Sequence, residues 1–339
     1  MKNVSKPEDT EILSNREIKY NDKSVSTTAA IAGVYINSKY YVIDFGNCTL
    51  YTIDSTLQVT NKCNLKKANN FQQMDIIDVG VSKNKMIIQI YGSQNTDGSN
   101  YVLLFDTESN TTEVIDFQRF TGKHDGLVMF YPFADKYLLS RLNLQKSPSE
   151  SSLFDLYDNE KKYLKSFGTP DSNFFVYKNL ENFYREFVIL YDNEIYTLHN
   201  CSDKIHKYDK NLKQTEVIKL RVPNMDRALA ADAPKSGRTG WTEFMNTTTG
   251  YMAFLRDEVS GNFCVQYRNF TFPAGVDDFF SPDQKIENVV RVFSKNGEML
   301  FERKNNYKKF SVVDISGDVV RFIHTTGEKI QIGEIDYAE

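Results

Sequence analysis

A short apolar strand that ends in aspartate and is followed by a turn recurs along the chain. Five copies and one weaker copy, the one at Ser294, end at Asp54, Asp106, Asp158, Asp209, Ser294 and Asp336. The first four end points lie 52, 52 and 51 residues apart. A propeller blade of four strands takes about 40–50 residues, so this repeat predicts a β-propeller.

The number of blades depends on one long interval. Asp209 and Ser294 are 85 residues apart, and the last interval, to Asp336, is 42 residues. The long interval could hold an extra blade or one blade with insertions. Residues 223–240 and 272–285 resemble long loops. We therefore predict insertions and six blades in total.

The recurring aspartates have a structural reason for their position. An aspartate side chain can accept hydrogen bonds from backbone N–H groups two residues further on, which starts a turn between two strands. We therefore interpret these aspartates as turn formers and not as catalytic acids.

Pairs of apolar runs, joined by tight polar turns, precede each corner, which is typical of short antiparallel strands. Phe (24) and Tyr (20) supply most of the 13% aromatic residues and favour pleated sheets. The predicted first and second strands are 29–36 and 40–44, 76–81 and 86–91, 126–133 and 137–142, 186–191 and 195–199, 242–246 and 251–256, and 310–315 and 319–324. This pattern predicts an all-β fold, a six-bladed propeller of four-stranded antiparallel blades.

The last blade reaches only its third strand before the chain ends. Residues 10–20 precede the first blade, and we expect them to supply the missing fourth strand. Such closure removes an exposed sheet edge. We expect residues 1–9 to form a flexible tail and residues 10–339 to form a single propeller domain.

The four cysteines, Cys48, Cys63, Cys201 and Cys264, contain no C-x-x-C pair. A zinc ribbon or a thioredoxin-type site is therefore not indicated. Cys48 and Cys63 flank a predicted hairpin whose two-residue turn would be Ser55-Thr56. This turn would place the two cysteines opposite each other at a hydrogen-bonded position, which is awkward for a disulfide. Two packed free thiols are the preferred interpretation, and a disulfide is the alternative.

Charge and motifs exclude several classes of function. The net charge is −4, whereas a general nucleic-acid binder needs a dense basic patch. No apolar run approaches the roughly 20 residues that cross a bilayer. The sequence has no P-loop, G-x-G-x-x-G, G-x-S-x-G or H-E-x-x-H motif. We expect no metal and no cofactor, and a metal shared by His199 and His324 is the less favoured alternative.

Two pairs of adjacent carboxylates could in principle form a glycosidase site. Asp257 and Glu258 are neighbours, as are Asp277 and Asp278. Glycoside hydrolysis needs two carboxyl groups that converge on one sugar, and neighbours on a strand point to opposite sides. We therefore assign no catalytic residue.

One stretch resembles a known group of propellers. Residues 187–220 read FVILYDNEIYTLHNCSDKIHKYDKNLKQTEVIKL. This stretch resembles a blade of the TolB-like or NHL-like six-bladed propellers of Bacteroidota, many of which are uncharacterised. The resemblance implies a cell-envelope location, in the periplasm or as an outer-membrane lipoprotein, and a binding role. Residues 1–15 are polar and show no signal peptide, so a cytoplasmic location stays open, as does a lipid anchor in a native precursor.

The loops that join successive blades lie on one face of a propeller, and loops on a fixed scaffold often carry function. The long ones are predicted at 64–73, 118–125, 168–184 and 221–241. Arg and Trp are enriched where binding energy concentrates. The candidate ligand-binding residues in or beside these loops are Arg119, His124, Asp125, Arg185, Arg227, Arg238 and Trp241. Trp241 could stack on a sugar, or it could be buried at the start of a strand.

These observations favour a non-catalytic binding or scaffold protein that uses one face of the propeller. The expected partner is a glycan, a peptide or an envelope protein, and not nucleic acid. The alternative is a propeller enzyme, a lyase or glycoside hydrolase, with its site at the channel mouth. An intracellular scaffold is a third hypothesis.

Overall fold

The computed structural model describes residues 14–94, 98–121, 129–140, 152–169, 186–200, 202–222, 228–229, 248–273 and 283–338. Six four-stranded antiparallel sheets are arranged as a six-bladed β-propeller, which confirms the predicted fold class. The predicted tail, residues 1–9, lies outside the described residues. No helix in the described part of the chain is both long enough and apolar enough to cross a membrane.

The N-terminal strands are β1 (Ser14–Glu17), β2 (Lys19–Tyr20) and β3 (Lys23–Ser24). Blade 1 comprises β4 (Ile31–Ile36), β5 (Lys39–Asp44), β6 (Thr49–Ile53) and β7 (Val59–Asn64). The short helix α1 (Leu65–Ala68) follows it. Blade 2 comprises β8 (Gln73–Ser82), β9 (Lys85–Ser93), β10 (Ser99–Asp106) and β11 (Thr111–Asp116), followed by a 3-10 helix (Phe117–Arg119).

Blade 3 comprises β12 (Met129–Phe133), β13 (Lys136–Ser140), β14 (Phe154–Tyr157) and β15 (Tyr163–Phe167). Blade 4 comprises β16 (Glu186–Tyr191), β17 (Glu194–His199), β18 (Lys204–Tyr208) and β19 (Gln214–Lys219). A two-stranded parallel pair, β20 (Ala228–Leu229) and β21 (Thr248–Thr249), separates blade 4 from blade 5 in the sequence.

Blade 5 comprises β22 (Tyr251–Arg256), β23 (Phe263–Thr271), β24 (Lys285–Phe293) and β25 (Met299–Asn305). Blade 6 comprises β26 (Phe310–Ser316), β27 (Val319–Thr326) and β28 (Lys329–Asp336), with β1 as its fourth strand. The first strand of each blade is the inner one. We call the face where inner strands begin the upper face, and the face where they end the lower face.

The N-terminal strand closes the ring, as the sequence predicts. β1 pairs antiparallel with β28, with Ser14 opposite Glu334 and Glu17 opposite Gln331. The Lys329 ammonium lies 2.8 Å from the Glu17 carboxylate and adds an ion pair to the sheet. Closure therefore joins residues from the two ends of the chain in one blade.

The turn residues behave as the repeat predicts. Asp54 Oδ1 accepts hydrogen bonds from the backbone N–H groups of Thr56 and Gln58 at 2.9 and 3.0 Å. Asp158 and Asp209 accept the same i+2 and i+4 bonds. Ser294 replaces aspartate in blade 5 and accepts through its hydroxyl oxygen. These side chains are thus occupied in the turns.

The prediction for blade 5 is wrong in one respect. Tyr251–Arg256 is the inner strand of this blade and not its second strand. The predicted inner strand, residues 242–246, lies outside the described residues. The second strand is Phe263–Thr271, and residues 272–284 separate it from the third. First and second strands share the same apolar pattern, so the sequence did not distinguish them, but the prediction of one blade with insertions is confirmed.

The predicted register of the cysteine hairpin is also wrong. Cys63 lies opposite Leu50, because the strand register shifts after Thr52 and the turn extends to Gln58. Cys48 precedes β6 and donates its thiol to the Met74 carbonyl at 3.3 Å. Both cysteines are free thiols, in agreement with the preferred interpretation.

Candidate functional site

Arg119 is the one predicted site residue within the described part of the chain. It is exposed at the end of the 3-10 helix that follows blade 2, at the upper face. Asp116 accepts a hydrogen bond from the Gln118 N–H at 2.9 Å and so caps this helix, while Phe117 is buried beneath it. The other predicted residues, His124, Asp125, Arg185, Arg227, Arg238 and Trp241, lie outside the described residues.

Polar side chains inside the ring are a feature that sequence reasoning missed. The interface between blades 1 and 2 is filled by apolar residues such as Ile43, Ile88 and Leu103. Blade 4 includes buried polar side chains, among them Glu186, Thr197 and His199. These polar residues occupy strand positions with the same alternation as apolar residues. They are buried because the neighbouring blade packs against them, which the local sequence does not reveal.

A carboxylate and an imidazole lie side by side at the upper end of blade 4. Glu186 begins the inner strand directly opposite His199, which ends the second strand. Their exposed fractions are 2% and 3%. Tyr131 of blade 3 donates its hydroxyl to the Glu186 carbonyl at 3.4 Å, so the pair lies near the blade 3–4 interface. A neighbouring Glu and His can exchange a proton, which is the basis of general acid–base chemistry.

Amide and guanidinium groups link blades 5 and 6 near the upper face. Gln266 donates to the Phe310 carbonyl at 3.2 Å and accepts from the Val312 N–H at 2.9 Å. Arg268 donates to the same Phe310 carbonyl at 3.1 Å and to Asn288 Oδ1 at 2.9 Å. Burial lowers the pKa of Arg268. These side chains satisfy the free edge of β26, so their role is structural.

His324 lies on blade 6 and His199 on blade 4, with blade 5 between them. His324 is fully buried and stacks on Tyr307 with ring centroids 3.9 Å apart. Burial lowers its pKa to about 4, so the ring is neutral at pH 7. The described residues contain no group of three or more His, Cys, Asp or Glu side chains that could hold a metal ion.

The lower face carries an arginine held against two tyrosines. Arg256 ends the inner strand of blade 5, and its guanidinium carbon lies 4.1 Å from the Tyr191 ring centroid and 5.1 Å from that of Tyr196. We call Arg256, Tyr191 and Tyr196 the arginine cage. Asp257 follows Arg256 and accepts from the Val259 N–H and the Ser260 hydroxyl. Asp257 is therefore a turn former, while Asp277 and Asp278 lie outside the described residues.

Two solved structures share this architecture along nearly the whole chain. A member of the DUF4221 family from Bacteroides vulgatus is 12% identical, with a TM-score of 0.67 over 96% of this chain and 97% of that one. A putative exported protein from Bacteroides fragilis is 10% identical, with a TM-score of 0.53 over 96% and 94%. No protein-family model and no curated protein matches the sequence.

At these identities the likeness concerns the fold. The chain is a six-bladed β-propeller similar to propellers of Bacteroides, which agrees with the coarser part of the predicted resemblance. The finer assignment to TolB-like or NHL-like propellers stays a prediction.

Proposed function

We propose that this chain is a non-catalytic binding protein that uses the upper face of its propeller to bind a glycan, a peptide or an envelope protein. One observation carries the proposal. Arg119 is exposed at the upper face, whereas Glu186 and His199 at the upper end of blade 4 are 2% and 3% exposed. The exposed group is suited to contact a ligand, and the buried groups are suited to hold the framework.

Arg119 is presented on a fixed support. Phe117 and Phe120 are buried on either side of it, and their rings pack on Phe130 of blade 3. The Thr121 N–H also donates to the Lys161 carbonyl of blade 3 at 3.1 Å. A group that is already held in place loses little conformational freedom on binding, which favours affinity.

An envelope location is part of this proposal. The Bacteroides fragilis neighbour is described as a putative exported protein. Its likeness to this chain supports export, and a TolB-like or NHL-like lipoprotein of the envelope is the finer form of that proposal.

The alternative is a propeller enzyme, and the pairing of Glu186 with His199 favours it. A lyase or glycoside hydrolase needs a general acid or base at the channel mouth, and this pair lies at the upper end of an inner strand. Its substrate would have to reach two side chains that are almost fully buried.

A thermal-shift screen with soluble polysaccharides and peptides tests the proposal. A ligand at 100 times its dissociation constant adds about 2.7 kcal/mol to stability, which is a shift of a few degrees. We expect one ligand class to raise Tm, with the shift reduced in Arg119→Ala and Trp241→Ala. Arg16→Ala is the matched control, because Arg16 is exposed on the outer strand of blade 6.

Two results would contradict the binding proposal. One is a screen in which no ligand raises Tm. The other is turnover of a polysaccharide, followed as released reducing ends or unsaturated uronate absorbance, that disappears in Glu186→Gln. The second result would establish the enzyme instead.

A further inference from the structure

Three arginines of the described residues stack on tyrosine rings. The guanidinium carbon of Arg321 lies 4.6 Å from the Tyr35 centroid, and that of Arg291 lies 4.9 Å from the Tyr267 centroid. Arg256 makes the closest of these contacts, 4.1 Å from the Tyr191 ring. Stacking satisfies the flat faces of a guanidinium but leaves its N–H groups, which lie in the plane, in need of acceptors.

Arg321 and Arg291 have carboxylate acceptors. Arg321 donates to Asp314 at 2.7 Å and to Glu334 at 3.2 Å. Arg291 pairs with Glu302 on the adjacent strand through its Nε, while its buried Nη1 has no hydrogen-bond partner among the described residues. Both arginines therefore combine stacking with a charge-assisted hydrogen bond inside the protein.

Arg256 differs, because it forms no hydrogen bond and no ion pair with any described residue. Its Nε and Nη1 atoms are buried without a hydrogen-bond partner among these residues. Leaving a buried donor unsatisfied costs about 1–3 kcal/mol, and more for a charged group. Such a group requires an explanation, and an acceptor from outside the chain supplies one.

Glu194, the carboxylate that interacts electrostatically with Arg256, is already engaged. Glu194 accepts the Tyr196 hydroxyl at 2.7 Å and the Lys207 ammonium at 2.9 Å. Burial raises the pKa of Glu194, but these two hydrogen bonds bring it below its ordinary value. Two cations, Lys207 and Arg256, therefore act on the single Glu194 carboxylate.

The loop beside the cage is fixed by a hydrogen bond and packs closely on Arg256. The Tyr191 hydroxyl donates to the Glu258 carbonyl at 3.0 Å, which holds the ring in place. Gly261 has φ +78°, and a Cβ there would lie 3.2 Å from Arg256 Nη2. The side chain of Val259, the next residue after Glu258, is 92% exposed at the same loop.

We propose that the arginine cage on the lower face binds a carboxylate group. The planar fork of a guanidinium matches the two oxygens of a carboxylate, and Arg256 is partly exposed between blades 4 and 5. A free organic acid and an acidic peptide share this chemistry. The exposed Val259 offers an apolar contact that a peptide can use and acetate cannot. This site is independent of the upper face.

Nitrogen-15 NMR of the arginine Nε–Hε groups tests the proposal directly. The Arg256 and Arg321 signals would be assigned by their loss in Arg256→Lys and Arg321→Lys. We expect sodium acetate, titrated against sodium chloride at constant ionic strength, to shift the Arg256 signal saturably. The Arg321 signal is the internal control and stays in place, because its acceptors are present. An Arg256 signal that does not move, or that moves equally with chloride, overturns the proposal.

Variants sharpen the result and identify the source of the carboxylate. Arg256→Gln abolishes acetate binding. Lys295→Gln, which changes a neighbouring exposed side chain, retains it. A blocked Gly-Val-Glu-Gly peptide that binds at least tenfold tighter than acetate, and loses this advantage in Val259→Ser, indicates a peptide ligand. Equal affinity indicates a free acid. Retention of binding in Arg256→Gln contradicts the assigned site.

Discussion

The blade 6–1 interface and the blade 4–5 interface each hold an arginine stacked on tyrosine, but they differ in what surrounds it. At the blade 6–1 interface Arg321 meets Asp314 and Glu334, and Tyr40 donates to Glu334 at 3.0 Å. At the blade 4–5 interface Arg256 forms no hydrogen bond or ion pair with a carboxylate of the described residues. The interface that joins the chain ends is complete in itself, whereas the other leaves hydrogen-bond donors for a ligand.

This comparison separates stability from function on physical grounds. An internally paired charge stabilises the fold only while both partners remain, because removing one leaves the other buried. An arginine without an acceptor contributes mainly through stacking, which is worth about 0.5–2 kcal/mol. Equivalent substitutions at the two interfaces should therefore have unequal effects.

Arg321→Met should give the largest effect. Burial raises the pKa of Asp314, and without Arg321 this carboxylate keeps no counter-charge. We expect a loss of about 3–5 kcal/mol in the free energy of unfolding, measured with urea at pH 7. The exposed Arg16→Met should change it by less than about 0.5 kcal/mol. A loss below about 1 kcal/mol for Arg321→Met would show that the interface does not depend on this ion pair.

His324 should make blade 6 sensitive to acid. Its pKa is lowered by burial to about 4, against an ordinary value of 6.5. The unfolded chain therefore binds a proton that the folded chain does not, so this contribution is complete above pH 6.5 and is lost as the pH falls towards 4. We expect this titration to lower the free energy of unfolding by at most about 3 kcal/mol as the pH falls across this window. Urea unfolding of His324→Phe at pH 7.5 and 4.5 checks it, since the variant should lose less stability than the wild type.

Arg256→Met should have the smallest effect on stability. The substitution removes stacking on Tyr191 and Tyr196 but also removes buried donors that lack acceptors. We expect these terms to offset each other to within about 1 kcal/mol in the free energy of unfolding. Urea unfolding in a carboxylate-free buffer measures it. A loss as large as that of Arg321→Met would mean that Arg256 is a structural residue, and the contrast between the interfaces would fail.

More of the fold than of the candidate site could be predicted from the sequence. The fold is signalled by local turn residues, whereas the site depends on contacts between neighbouring blades. Turn formers such as Asp54 and Asp209 act within a few residues, so their spacing revealed the blades. The roles of Arg256 and Arg321 depend on residues of the neighbouring blade, and nothing local distinguishes them. The error in blade 5 has the same origin, because Tyr251–Arg256 resembles a first and a second strand equally.

Closure by the first strand also determines when the molecule can be completed during synthesis. Glu17 and Lys329, which pair across the closing sheet, are 312 positions apart. At about 5–20 residues per second, the ribosome incorporates Lys329 roughly 15–60 s after Glu17. Through that time Ser14–Glu17 waits without its partner, and its sequence, Ser-Asn-Arg-Glu, is entirely polar. A strand that must wait in water is thus made of residues that water solvates well, while β28, with its three buried isoleucines, is synthesised when its partner already exists.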